Sequence, residues 1–250
     1  MNAVDKTLSM LDVIKEYHSG IHLSDLSDKL DMPMSSVHRM LASLVRYGYI
    51  FQNKETKRYH LGYKFLEMSR YVLDNIDVRT LVKPYMYDLV DRVKEACHLA
   101  ILVDRDVVFV DRMDSSYSIT ANQKIGLRCP AYLTASGKAI LAGYPDYELQ
   151  RIISRFDFSQ APALTGTPRT AEDFYEELMR VRELGYAIDD EEAEAGGRCI
   201  AVALQIYGIT SRFAISISGP ITRMDREYME TALARELKET SSLIHRDLSP

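Results

Sequence analysis

At 250 residues, with 46% hydrophobic and 27% charged residues, the chain has the composition of an ordinary globular protein and the length for one large domain or two smaller ones. No stretch approaches the roughly 18 apolar residues that span a membrane, residues 1–17 are charged and amphipathic rather than a signal peptide, and three cysteines with no CxxC pair exclude a disulfide framework, so a cytoplasmic protein is expected. The net charge of −5 argues against nucleic acid, yet residues 1–62 carry a net +1 and the remainder −6, and residues 35–62 hold Arg39, Arg46, Lys54, Lys57 and Arg58 against Glu55 alone.

Val4, Leu8, Leu11, Ile14 and Tyr17 recur at steps of three and four and predict an amphipathic helix over 4–17, ended by Gly20. A second helix is expected to start at Ser24 as its N-cap, with Leu26 and Leu30 inward, and to stop before Pro33. Ser35 can cap a third, whose buried stripe would be Val37, Met40, Leu41, Leu44 and Val45 and whose terminator is Gly48. Its opposite face shows Ser36, Arg39, Ser43 and Arg46. Two β-like runs, 49–52 and 58–61, flank the polar turn 53–57. Three helices followed by a basic hairpin make a winged helix-turn-helix, the bland alternative being a trihelical packing module.

Residues 63–96 read as more helix, with Leu66, Val72, Leu73 and Ile76 on one part and Leu81, Tyr85, Leu89 and Val93 on the next. The break at Asn75-Ile76-Asp77 places a domain boundary. From 97 the period changes: strands are expected at 98–103, 107–111, 118–124, 186–189, 199–205 and 213–218, and helices at 135–142, 147–153, 171–184 (stopped by Gly185) and 225–244. Mixed in this way, they predict an α+β sheet domain.

Several groups of residues could carry chemistry. On the third helix, Ser35, Ser36, His38, Arg39 and Ser43 are placed to meet base edges and phosphates in a major groove, and Lys57 and Arg58 of the wing to meet phosphate or the minor groove. Asp189-Asp190-Glu191-Glu192 reads as a solvated acidic loop; a metal site is not expected, because Cys97 and His98 carry no zinc spacing. Thr134-Ala135-Ser136-Gly137-Lys138 opens a helix whose free N–H groups suit an anion, without the spacing of a P-loop. Ser216 and Ser218 share one strand face, either exposed or lining a polar pocket. GxSxG is absent, and a Cys199–His98 pair is too cheap a coincidence to predict an enzyme.

These residues also carry a resemblance. The chain resembles the IclR family of transcription regulators through Met34-Ser35-Ser36-Val37-His38-Arg39-Met40-Leu41, Gly48-Tyr49-Ile50, Arg58-Tyr59-His60-Leu61-Gly62, Val110-Asp111-Arg112 and Thr134-Ala135-Ser136-Gly137-Lys138-Ala139-Ile140-Leu141-Ala142. The most specific stretches are Gly185-Tyr186-Ala187-Ile188-Asp189-Asp190-Glu191-Glu192, then Gly197-Arg198-Cys199-Ile200-Ala201, then Ile215-Ser216-Ile217-Ser218-Gly219-Pro220. The resemblance implies a GAF-like effector-binding domain, and homodimers or homotetramers joined partly through the N-terminal half. It also implies an effector, a small organic acid or an aromatic compound, held near Asp189, Cys199, Ser216 and Ser218 with N–H groups from Ala135 and Ser136. One departure is Ala203, where many members have Pro.

The expectation is therefore an α+β protein with a winged helix-turn-helix over 1–62, a linker helix over 63–77 and a GAF-like effector-binding domain over 78–250. Its expected partners are double-stranded operator DNA, a small-molecule effector and copies of itself, with no cofactor, no metal and no membrane. The competing reading is an enzyme or sensor whose N-terminal module only joins subunits.

Overall fold

The computed structural model describes residues 2–74, 77–120, 123–160, 167–206 and 209–248. The architecture is mixed α+β, and the chain divides into two compact units, Met1–Ile76 and Asp77–Pro250.

In the first unit, α1 (Ala3–Lys15) is opened by a reciprocal capping box between Asn2 and Asp5. Its full burial begins only at Met10 and Ile14; Val4 and Leu8 are exposed, because they lie on a side of α1 that does not face α3, beside which Lys6 and Thr7 are half-buried. The second helix, α2 (Leu23–Leu30), starts one residue before Ser24, with His22 at the cap position, and ends where Asp31 turns left-handed. Ser35 does not cap α3 (Met34–Arg46) either. Pro33 takes the N-cap position, where a missing N–H costs nothing, and Ser35 falls in the first turn. Val37, Leu41 and Leu44 are buried as expected, but Val45 lies at the edge of the stripe and is exposed.

Gly48 adopts φ +78° past the end of α3, and the chain returns as β1 (Ile50–Gln52) and β2 (Tyr59–Leu61), paired antiparallel with Ile50 opposite Leu61. Met10, Ile14, Ile21, Leu26, Val37, Leu41, Leu44, Ile50 and Tyr59 form one core. A bridge between Ile21 and Tyr59 binds the α1–α2 turn to the hairpin. Gly20 makes that approach possible: it has φ +74°, and a Cβ there would lie 2.4 Å from the His60 ring. The helix α4 (Lys64–Asp74) closes the unit.

The second unit opens with α5 (Asp77–Val93), which buries Val78, Val82, Met86, Leu89 and Val93. The expected stripe was offset by one position in its first half, so Leu81 is exposed and Tyr85 half-buried. Then come β3 (Ala96–Val103), β4 (Asp106–Met113), β5 (Arg128–Pro130), α6 (Ala135–Ala142), α7 (Asp146–Ile153), α8 (Ala171–Leu184), β6 (Ala187–Asp190), β7 (Gly197–Ile206) and β8 (Ile209–Pro220). A closing helix runs as α9 (Arg226–Tyr228), a π-helical segment (Met229–Leu233) and α10 (Ala234–Leu248).

The strands form one antiparallel sheet in the order β5-β4-β3-β8-β7-β6. The strand expected at 118–124 is not found among the described residues of that range. The chain rejoins β4 only at Gly126 and Leu127, through hydrogen bonds with Phe109, and pairs as β5. Residues 121 and 122 of that expected strand, and 75 and 76 of the expected break, lie outside the described residues.

One sheet face packs on α5 and α10; the other is covered by α6 and, through it, α8. Ala187, Ala201 and Ala214 on the second face are small enough for α6 to lie close, and Phe174, Leu178 and Val181 of α8 complete that core. No helix among the described residues is long and apolar enough to cross a membrane.

Candidate functional sites

On the first unit, α3 presents Ser35, His38, Arg39 and Ser43 to solvent, with Ser36 half-buried. They lie opposite the Val37–Leu41–Leu44 stripe, as a recognition helix requires. The Ser43 hydroxyl donates to the Arg39 backbone carbonyl at 3.3 Å, and among the described residues the Arg39 guanidinium makes no hydrogen bond or ion pair. Arg39 borders a groove with Ser36, Ser43, Lys6, Thr7 and Tyr47. Lys6 and Thr7, on α1, carried no signal in the sequence, since only tertiary packing brings them beside α3.

In the wing turn, the Asn53 side chain accepts from the Glu55 and Thr56 N–H groups, and Lys57 sits at φ +57° with its side chain exposed. Arg58 differs from the expectation of a free phosphate contact. It is half-buried and its guanidinium donates to the Gly20 carbonyl at 3.2 Å, so it fastens the wing to the α1–α2 turn. Phe51 stacks on both His60 and Tyr63, at centroid distances of 5.0 and 6.1 Å.

The second unit holds a cavity of about 180 Å³ lined by Ile119, Thr120, Gln123, the β6–β7 turn and the adjoining strand ends. Register explains which polar groups collect there. Asp189 is opposite Cys199, Cys199 is opposite Ser218, and His98 is opposite Ser216, so all five share the face that α6 covers. All five are buried. The solvated-face alternative for Ser216 and Ser218 is thereby removed.

Nor is 189–192 a solvated acidic run. Asp189 and Glu192 are buried, because strand alternation turns Asp189 inward and the tight turn brings Glu192 back under the rim. Asp189 and Cys199 line the cavity itself. Ser218 reaches it through Gln123, with Oγ 3.2 Å from Gln123 Oε1 and 3.2 Å from His98 Nδ1. Ala135 and Ser136 are buried beside the sheet and do not line the cavity. The N–H of Gly137 is already taken by the Thr134 hydroxyl, which caps α6.

The electrostatics are those of a cavity whose cations are engaged. Arg198 donates to Asp190 at 2.6 Å and to the Met224 carbonyl at 3.0 Å. Arg112 is held by Asp114 at 2.6 Å and by the Gln123 carbonyl at 2.8 Å. Burial, with the charge of Arg112 in support, pushes His98 down to about 3, so the imidazole is neutral. Burial raises Asp189 to about 6 against the N–H groups of Glu192 and Ala193, which it accepts. Burial also raises the Cys199 thiol, with the neighbouring Asp189 charge adding to it.

Behind the rim, Lys138 is fully buried on α6. Its ammonium lies 2.6 Å from Glu177 and 2.6 Å from Glu192 and donates to the Ile188 carbonyl. Burial raises Glu192 to about 7 against the opposing pull of Lys138, whereas the two glutamates keep Lys138 protonated in spite of its burial. Sequence reasoning singled out neither Gln123 nor Thr120, and named Lys138 only as the last residue of the run that opens α6, with no role for its side chain. Among the described residues, no group of three His, Cys, Asp or Glu side chains is placed to hold a metal ion.

Comparisons with known proteins identify the family. The family profile described as IclR helix-turn-helix domain matches residues 3–54, and that of the bacterial transcriptional regulator IclR C-terminal domain matches 70–246. The chain is 32% identical over 225 residues to the HTH-type transcriptional regulator XynR of Escherichia coli, covering 90% of this chain and 88% of that one. It is also 32% identical over 235 residues to KdgR of the same organism, covering 94% and 88%. Among solved structures, the Thermotoga maritima IclR superposes with a TM-score of 0.77 at 29% identity over 99% of both chains. An IclR homolog of Microbacterium hydrocarbonoxydans complexed with 4-hydroxybenzoate gives 0.77 at 22% identity over 99% of both, a likeness of fold.

Proposed function

The chain belongs to the IclR family of bacterial transcriptional regulators, and on that premise we propose that it holds an operator through α3 and its wing and releases it when a small organic acid or aromatic metabolite fills the cavity of the second unit. Ser35, Ser36, His38, Arg39 and Ser43 read the major groove in this account. Lys57 meets phosphate, while Arg58 and Gly20 hold the wing in place. Asp189, Cys199, Ser216 and Ser218 receive the effector, and Ala135 and Ser136 form the wall behind them. The winged helix-turn-helix over 1–62, the linker helix over 63–77 and the effector-binding domain over 78–250 are the functional divisions, acting as a homodimer or homotetramer in the cytoplasm.

The observation that carries the reading is the row Asp189–Cys199–Ser218. It is three buried polar groups on adjacent strands beside a cavity, at a place where a sheet facing a helix would ordinarily be apolar. The reading assigns no catalytic role: burial lowers His98 to about 3, too weak a base to take a proton from a Cys199 thiol that burial raises above its ordinary range. Isothermal titration of the wild type and of Ser216→Ala/Ser218→Ala with small hydroxy acids, aromatic acids and their amides tests the assignment. Binding lost in the double variant supports it. A double variant that binds the best acid as well as the wild type makes the serines structural.

A further inference from the structure

The hydrogen bonds around Ser218 have a direction. A serine hydroxyl owns one proton. In the chain Gln123 Oε1 – Ser218 Oγ – His98 Nδ1, with both contacts at 3.2 Å, that proton goes to one neighbour, and the other must donate to Oγ. If Ser218 donates to Gln123 Oε1, His98 carries its proton on Nδ1 and its Nε2 is a bare lone pair. If the chain runs the other way, the Gln123 carboxamide is turned over, its nitrogen donates to Ser218, and His98 carries its proton on Nε2. Nε2 is buried and has no partner. A buried N–H without an acceptor costs more than a buried lone pair without a donor, so the first direction is favoured. The imidazole cannot serve both sides by becoming charged, since burial and Arg112 keep it neutral. The edge of its ring packs on Phe109 at a centroid distance of 5.5 Å, which fixes its plane.

Gln123 lines the cavity. Its carbonyl oxygen is taken by Ser218, its backbone carbonyl is held by Arg112 at 2.8 Å, and among the described residues no acceptor lies on its side-chain nitrogen. We propose that Gln123 is the specificity-determining donor of this cavity: the His98–Ser218 relay locks its carboxamide so that the NH₂ faces the ligand, and the site selects a molecule that brings a carbonyl or carboxylate oxygen to that end. The other cations at the rim are committed to Asp190 and Asp114, so the neutral carboxamide does the work that an arginine would otherwise do. Thr120 Oγ1, which lines the same cavity and has no partner, is a second hydroxyl for the same oxygen. Asp189, which can accept, stands at another part of the lining and suits a ligand hydroxyl. A hydroxy acid or hydroxyaryl carbonyl compound satisfies both ends. His98 acts through Ser218 and is a positioning residue.

This inference rests on the effector reading of the cavity, and two measurements on the full chain separate their failures. The first needs no ligand: two-bond ¹H–¹⁵N correlations of the histidine side chains, with His98 assigned from His98→Asn. The expected result is a His98 ring protonated on Nδ1 only and unchanged from pH 5 to 8. Protonation on Nε2, or an imidazolium in that range, overturns the relay.

The second is calorimetric titration with glycolate, lactate, benzoate and 4-hydroxybenzoate, their amides, and the corresponding alcohols. The best-bound acid or amide should lose about tenfold in affinity on Gln123→Met, the loss of one hydrogen bond, and more on Gln123→Glu, which replaces the donor with a carboxylate. A Gln123→Met variant that binds as well as the wild type overturns the proposal, as does a wild type that prefers the alcohols. If the wild type binds none of the panel, the effector reading fails, and the relay is judged by the tautomer alone.

Discussion

The ammonium of Lys138 lies 2.6 Å from the carboxylate of Glu192, and the two side chains are 0% and 4% exposed. This pair joins α6, which lies on the sheet, to the β6–β7 turn, which forms the rim of the cavity. Glu177 of α8 closes the other side of the ammonium at 2.6 Å. Removing a single partner from a buried ion pair leaves an uncompensated charge. Lys138→Met should therefore lower unfolding stability by about 3–5 kcal/mol, read from urea midpoints. A loss below about 1 kcal/mol would show that the glutamates simply take up protons at no structural cost.

The carboxylates around that pair set the pH dependence of folding. Burial holds Asp189 at about 6 and Glu192 at about 7, above the ordinary carboxylate range. The folded chain thus keeps protons that the unfolded chain releases. Their contribution is complete in acid below that ordinary range and is lost as pH rises through about 6 and 7. Urea midpoints of the second unit's transition should fall across that window, and Asp189→Asn should flatten part of the slope. A midpoint that rises with pH there, or an unchanged slope in the variant, contradicts the assignment.

Much of this architecture was readable beforehand and part of it was not, for reasons that differ by residue. Gly48 and Gly185 announce left-handed turns whatever surrounds them, and they ended α3 and α8 as expected. The Val37–Leu41–Leu44 stripe was legible because its period is local. Ser35 failed as a cap because Pro33 competes for the same position without needing a donor. The start of the α5 stripe and the supposed strand at 118–124 depend on which face meets the sheet, and that is decided by chain segments distant in sequence. Ser216 and Ser218 were legible as one strand face from alternation alone, Asp189 and Cys199 were joined to them through family resemblance, and strand register is what places all four on one face. Gln123, the side chain of Lys138 and the inward turn of Glu192 have no sequence signature, since each becomes meaningful only through a side-chain partner at least 39 residues away.

Gly137 is constrained by contact rather than by torsion. A Cβ there would stand 2.2 Å from the Ala131 carbonyl oxygen and 2.5 Å from Ala131 Cα. Backbone cannot yield as a flexible side chain does, so Gly137→Ala should destabilise by about 3 kcal/mol or more and weaken effector binding as α6 shifts. A variant with the wild-type thermal midpoint would show that α6 is less tightly seated than this.

The DNA-facing residues separate by their anchoring. Arg39→Ala should cost about 1–3 kcal/mol of specific operator affinity with no change in unfolding. Lys57→Ala should reduce the slope of log affinity against log salt by about 0.9. Arg58→Ala should also lower the thermal midpoint of the first unit, because its guanidinium holds the Gly20 carbonyl. Equal midpoints for Lys57→Ala and Arg58→Ala would remove the distinction between a phosphate contact and a structural fastener.

The most direct test of the whole account is fluorescence anisotropy on DNA from upstream of the chain's own gene, at fixed salt, as the best-bound acid is titrated in. Wild type and Asp189→Asn/Ser218→Ala are compared. The account predicts equal DNA affinity for the two proteins without the acid, at least about a tenfold loss for the wild type at saturation, and no response from the variant. DNA affinity that is indifferent to an acid known to bind the chain, or a variant that responds as the wild type does, would contradict it.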